Sequence, residues 1–139
     1  MNKIAFLLLG LLAAPACTIT TTNRDVGSVA ADGTVYLGWH LMNRDNKAGN
    51  DQETFDIGAQ VGGFSTLRLH ADKPMTLAQV LVIFANGERW TAPAPAALGN
   101  DEWSQPIQLP GGPRPIHSIV VTGRSTTSLL AKLELHGGR

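Results

Sequence analysis

Residues 129–136 read LLAKLELH. Leu129, Ala131, Leu133 and Leu135 fall on one side of this stretch, and Lys132, Glu134 and His136 on the other. In an extended chain successive side chains point to opposite faces, so a period of two marks a strand with one face on a core and the other toward water.

The same reading extends back along the chain. Ile116 to Thr122 is rich in β-branched residues, which fit a pleated surface. Trp103 to Leu109 reads as a strand closed by the turn Pro110-Gly111-Gly112-Pro113, and Pro106 within it predicts an edge position or a bulge. Ala92 to Ala97 is a Pro-Ala connection, with room for a helix of one or two turns over 94–99. Leu77 to Phe84 is apolar on both faces except at Gln79, which predicts a central strand. Asn86-Gly87 predicts a tight hairpin, since both residues tolerate positive φ, with Glu88 to Thr91 returning antiparallel. Phe64 to Ala71 places Ser65, Leu67, Leu69 and Ala71 on one face and Arg68 and His70 on the other. Gly62-Gly63 is a turn, Thr54 to Gly58 a short strand, Asn43 to Glu53 a long polar loop and Thr34 to Trp39 the first strand.

No segment of the mature chain sustains the 3.6-residue period of an amphipathic helix. Roughly seven or eight short strands predict an all-β domain, a two-sheet antiparallel β-sandwich of jelly-roll-like or related kind, with a closed barrel as the alternative.

The chain begins MNKIAFLLLGLLAAPAC. Lys3 supplies a positive end, and Ile4 to Ala14 an apolar run shorter than the roughly 20 residues that cross a bilayer. Ala14-Pro15-Ala16 carries small residues where a signal peptidase cuts. Residues 1–16 are therefore expected to be a signal peptide, 17–33 a flexible arm or tether, and 34–139 a single β-sandwich domain in the periplasm or outside the cell. Cleavage leaves Cys17, the sole cysteine, at the new N-terminus. Ala16-Cys17 fits a bacterial lipoprotein signal and Pro15 does not, so Cys17 is a lipidation candidate and the one expected route to a membrane.

The chain carries eleven basic and eleven acidic residues, and only Lys3 among them lies in the leader. A nearly neutral domain with mixed signs has no bulk attraction for nucleic acid.

Five stretches follow in order along the chain: LGWH at 37–40, DQETFDIGAQVGGFSTLRLHAD at 51–72, VLVIFANGERW at 80–90, IQLPGGPRPIHSIVVTGRS at 107–125 and LELHG at 133–137. Through them, from Leu37 to Arg139, the chain resembles the family of small exported bacterial β-domains labelled a domain of unknown function and numbered 2541. The chain departs from the family where Gln108 stands in place of an Asp and where Thr122 and Gly123 lack a neighbouring aromatic. The resemblance implies a β-sandwich and implies no particular chemistry.

The candidate sites are few. Asp45, Asp51, Glu53 and Asp56 cluster in or beside one loop, and hard cations take six to eight oxygen ligands, but EF-hand spacing is missing and Lys47 competes. Asp45, Asp51 and Asp56 are weak metal candidates set against a solvated loop. His40, His70, His117 and His136 are scattered without a close ligand pair, although His70 and His136 would meet on one face if their strands were neighbours. Gly58, Gly62 and Gly63 precede no helix pattern, so no dinucleotide fingerprint is present and no cofactor is called for. No Ser occupies a nucleophile elbow, and the acid pairs Asp56 with Glu88 or Asp101 with Glu102 are of a kind any acid-containing chain offers.

The aromatics carry more. Tyr36, Trp39, Trp90 and Trp103 suffice for a ligand-stacking surface, the alternative being rings that plug the ends of the sandwich. Trp90 and Trp103 lie near loop ends, where scaffolds present function. Trp90, Trp103, Arg89 and Arg114 are the expected ligand-binding residues, the rings to stack and the guanidinium groups to fix an anionic or hydroxylated group. The expected function is an envelope-associated binding or accessory domain, not an enzyme, whose partner is a glycan, an envelope polymer or another envelope protein. A structural envelope protein without a small ligand is the alternative, followed by a carboxylate-dependent hydrolase.

Overall fold

The computed structural model describes residues 26–44 and 49–139. The expected leader, Cys17 and Asp45 lie outside the described residues.

Eleven strands follow in order: β1 (Val35–Asn43), β2 (Asp51–Asp56), β3 (Gly63–Phe64), β4 (Thr66–Ala71), β5 (Met75–Phe84), β6 (Arg89–Thr91), β7 (Ala97–Leu98), β8 (Glu102–Trp103), β9 (Ile107–Gln108), β10 (Arg114–Ser125) and β11 (Leu130–Gly138). One sheet runs β1-β11-β4-β8, with β9 also beside β4. The other runs β2-β10-β5-β6, with β3 beside β10 and β7 beside β5. Every pairing is antiparallel, and the two sheets face one another as a sandwich rather than closing into a barrel.

The core lies where alternation puts it. Leu67, Leu69, Ala71, Ala131, Leu133 and Leu135 on the first sheet meet Val80, Val82, Phe84, Ile116, Ile119 and Val121 on the second, all essentially without exposure. Covering these side chains is the main force holding the sheets together, at about 1.5–3 kcal/mol for each large one fully buried.

The central strand β5 breaks strict alternation. Leu77 and Val80 both point inward, and the register against β10 shifts at that point, between Thr122 and Gly123. A bulge absorbs the extra residue, so Gln79, the polar interruption in the sequence, faces out without disturbing the core. Gly123 leaves no room for a side chain: a Cβ there would lie 2.3 Å from the carbonyl oxygen of Thr76.

Several expectations are corrected. The loop after β1 is shorter than 43–53, because β1 runs on to Asn43 and Asp51 and Glu53 already belong to β2. The segment over 94–99 forms no helix; Pro93 and Pro95 deny it backbone donors, and Ala97–Leu98 pairs with β5 instead. The stretch from Trp103 to Leu109 is two fragments, β8 and β9, parted at Pro106. Leu129 is 58 % exposed because β11 starts one residue later. His136 does point to the outer face, as alternation requires, yet it is only 3 % exposed, because neighbouring rings cover it.

Residues 27–34 fold back on β1. Gly27 N–H donates to the Tyr36 carbonyl, Tyr36 N–H donates to the Ser28 carbonyl, and Val29 bridges Val35. The Asp32 carboxylate accepts from the Thr34 N–H and hydroxyl, and the hydroxyl bond, followed by the backbone bond, holds the Asp32 carboxyl below its ordinary range.

Candidate functional site

The outer face of the first sheet carries one unbroken cross-strand row. Trp39 on β1 lies opposite Glu134 on β11, Glu134 opposite His70 on β4, and His70 opposite Trp103 on β8. Leu133, Leu135, Leu69 and Ala71 point into the core, so these four side chains point away from it. Trp39 and Trp103 are 38 % and 39 % exposed. Three steps between strands, of about 4.8 Å each, separate them by roughly 14 Å. Tyr36, His136 and Arg68 form the adjoining row.

The face is held by many contacts. The Trp103 ring lies 4.6 Å from the His70 ring, tilted by 38°, and 4.8 Å from the His136 ring at 67°. Tyr36 meets His136 from the other side, 5.5 Å between centroids. The Arg68 guanidinium stands 5.1 Å from the centre of the Trp103 ring, and its Nε donates to the Ser104 carbonyl. His70 Nε2 and Asp101 Oδ1 are 2.7 Å apart. Asp101 has φ 52°, left-handed territory that Asp tolerates better than most residues, and this turn aims its carboxylate at His70.

Glu134 is flanked by Lys132 Nζ at 3.1 Å and His136 Nε2 at 3.3 Å. Burial pushes its carboxyl upward, but hydrogen bonds from Lys132 and His136, with their charges, outweigh burial and leave it below its ordinary value. The positive and negative groups between the two tryptophans are thus largely matched. Such a surface offers hydrogen bonds from charged groups, which are stronger than neutral ones, without a large net field.

The broken edge beside β4 is repaired by Ser104. Its N–H donates to the Leu69 carbonyl at 2.8 Å, and its hydroxyl accepts from the Leu69 N–H at 2.9 Å while donating to the Gln105 carbonyl. One side chain therefore replaces the ladder bond lost where the chain turns toward Pro106. This anchors Trp103, the residue before it.

Trp39 and Trp103 each border a hollow. Beside Trp39 and the β1 bulge at Gly38 is a cavity of about 270 Å³, with His40 and Asp56 on its wall. Beside Trp103, between the 93–98 and 102–107 segments, is a groove of about 300 Å³.

The four expected ligand-binding residues are not gathered in one place. Trp103 stands on the face just described. Trp90 on β6 is opposite Val82, points the same way as that core residue, and packs half-buried against the core. Arg89 is exposed at the edge of the other sheet. Arg114 is committed elsewhere: its guanidinium lies 3.6 Å from the Phe84 ring centre and pairs with Glu88.

The metal candidates are dispersed too. Asp51 bonds the N–H groups of Asn43 and Gln52, closing the turn between β1 and β2, and Asp56 lies at the end of β2. Among the described residues no group of three or more His, Cys, Asp or Glu converges as a metal site. His40 pairs with Glu53 at the sandwich edge. Asp56 ends β2, whereas Glu88 leads into β6 and pairs with Arg114 of β10. Glu102 accepts from the Gly99 N–H, and its neighbour Asp101 serves His70.

Of the residues that complete the face, Trp39 is one of the aromatics the sequence offers for stacking, but none of Trp39, Glu134 and Arg68 is among the four expected ligand-binding residues. Their orientation is readable from alternation, but their meeting depends on β11 lying between β1 and β4.

The protein is thus a two-sheet antiparallel sandwich with an aromatic and charged outer face. The sequence profile of DUF2541, a domain of unknown function, matches residues 6–137. The chain belongs to this family, over nearly its whole length. No curated protein and no solved structure matches it.

Proposed function

We propose that this domain is an exported, envelope-associated binding module that holds a glycan across the outer face of the β1-β11-β4-β8 sheet. The observation that carries the reading is the row Trp39-Glu134-His70-Trp103, with an exposed indole at each end and hydrogen-bonding groups between. A pyranose ring has an apolar face of C–H groups and a rim of hydroxyls. Indoles accept the first, and Glu134, Lys132 and Arg68 address the second. The dense packing around Trp103 supports the reading, because a ring already fixed loses little freedom when a ligand stacks on it. Export is supported by the leader-like composition of residues 1–16, and attachment through Cys17 is part of the same proposal.

Co-sedimentation with purified cell-wall glycan tests it. The wild-type chain should sediment with the polymer, and Trp39→Ala and Trp103→Ala should each weaken binding by about tenfold, equivalent to roughly 1.4 kcal/mol. Retention of both variants at wild-type level contradicts the proposal.

A further inference from the structure

The groove beside Trp103 is built differently from the face. Pro93, Pro95 and Pro106 stiffen its walls, Leu98 and Ile107 are the buried apolar residues at its base, and Trp103 forms the side where it opens onto the sheet. Its volume of about 300 Å³ is at the lower end of the range for small-molecule sites. Prolines fix φ, so these walls are formed before any ligand arrives.

Its chemistry is selective. Among the described residues that line it, none carries a positive charge. A phosphate or carboxylate would find no partner there. The one acid on the lining, Glu102, already accepts the Gly99 N–H. A quaternary ammonium is disfavoured too, because Trp103 is the only aromatic among those lining residues and such cations seek several rings. The three prolines have carbonyls but no N–H, so their backbone offers acceptors and no donors. Gln105, exposed at the rim, supplies a side-chain amide that both donates and accepts. The fitting occupant is neutral, has an apolar tip for Leu98 and Ile107, and presents an amide N–H and C=O.

We infer that this groove is the subsite for the acetamido group of an N-acetylated hexosamine, one sugar of a glycan lying across the Trp39-Trp103 face. The inference rests on the glycan-binding reading and adds the substrate class. The methyl group goes toward Leu98 and Ile107, the amide N–H toward the proline walls and the amide carbonyl toward Gln105. The sugar ring stays over Trp103.

Two oligosaccharides with the same linkage separate the possibilities: tetra-N-acetylchitotetraose and cellotetraose, titrated calorimetrically into the full chain. The acetylated sugar should bind about tenfold more tightly. Ala97→Phe, which fills the groove from an exposed position, should abolish that preference while cellotetraose binding persists; Gln105→Ala should reduce it. Circular dichroism verifies that each variant is folded, and the Gln105 variant serves alone if Ala97→Phe is not. Equal affinity for the two sugars, or a preference that survives these variants, overturns the acetamido subsite and leaves the glycan face standing. If neither sugar binds, and cell-wall glycan is not retained either, both readings fall together.

Discussion

The imidazole of His136 lies edge-on to the indole of Trp103, 4.8 Å between centroids and 67° between planes. The two residues sit on strands that are not neighbours, since β4 runs between β11 and β8. Trp103 therefore leans back across β4, covers His136, and still leaves 39 % of itself exposed. A single ring both closes the structure beneath it and keeps an open face on the proposed binding surface.

Trp103→Ala should accordingly do two separable things. It uncovers His136 and removes contacts with both histidines and Arg68, at a cost of about 1–2 kcal/mol. It also removes one stacking surface. Urea denaturation reads the first effect and glycan co-sedimentation the second. Trp103→Phe should restore most of the stability and only part of the binding.

Ser104→Ala removes the hydroxyl that accepts the buried Leu69 N–H. An orphaned buried donor costs about 1–3 kcal/mol. Thermal unfolding should show a melting temperature lower by roughly 4–8 °C per kcal/mol lost. Ser104→Thr keeps the hydroxyl and should lose less.

Glu134 gives the stability a pH dependence of defined sign. Its carboxyl titrates below the ordinary value of 4.5 in the folded chain, and near that value in the unfolded one. The unfolded chain therefore takes up the proton first as the pH falls. The stabilisation is fully present above the ordinary value and is lost as the pH drops through the depressed folded value. Urea midpoints measured from neutral pH down to about pH 3 should fall less steeply in Glu134→Gln than in wild type.

Gly123→Ala sets a methyl group against the Thr76 carbonyl, at a distance no Cβ tolerates. Backbone rather than a flexible side chain is the obstacle, so β5 must move away from β10. A loss of about 1–3 kcal/mol is expected, typical of forcing atoms into a packed interior. It should be accompanied by faster hydrogen exchange at the amides of both strands.

The strands were legible wherever one face met the core. Leu133, Leu135, Leu67 and Leu69 declared themselves by alternation, and Asn86-Gly87 marked its hairpin, although Gly87 alone of the two takes a positive φ, 90°. Leu129 and the end of β1 escaped, because strand limits are set by pairing partners and not by the residues alone. The site was half legible. Alternation pointed His70, His136 and Glu134 outward, and Trp103 was named in advance. Trp90 shares with it a place near a loop end, a local resemblance that says nothing about which sheet a strand joins. Arg114 looked available and instead stacks on Phe84 and pairs with Glu88. Sheet order is a property of contacts distant in sequence, and only the folded chain brings Trp39 and Trp103 into one row.

The three tryptophans allow the most direct measurement. Each contributes one indole N–H signal to a ¹H–¹⁵N spectrum, and two of the three stand on the proposed face while Trp90 packs against the core. On titration with tetra-N-acetylchitotetraose, the signals of Trp39 and Trp103 should shift together along one saturating curve and that of Trp90 should stay in place. A shift confined to Trp90, or none at any concentration of this sugar or of soluble cell-wall glycan, would contradict the account.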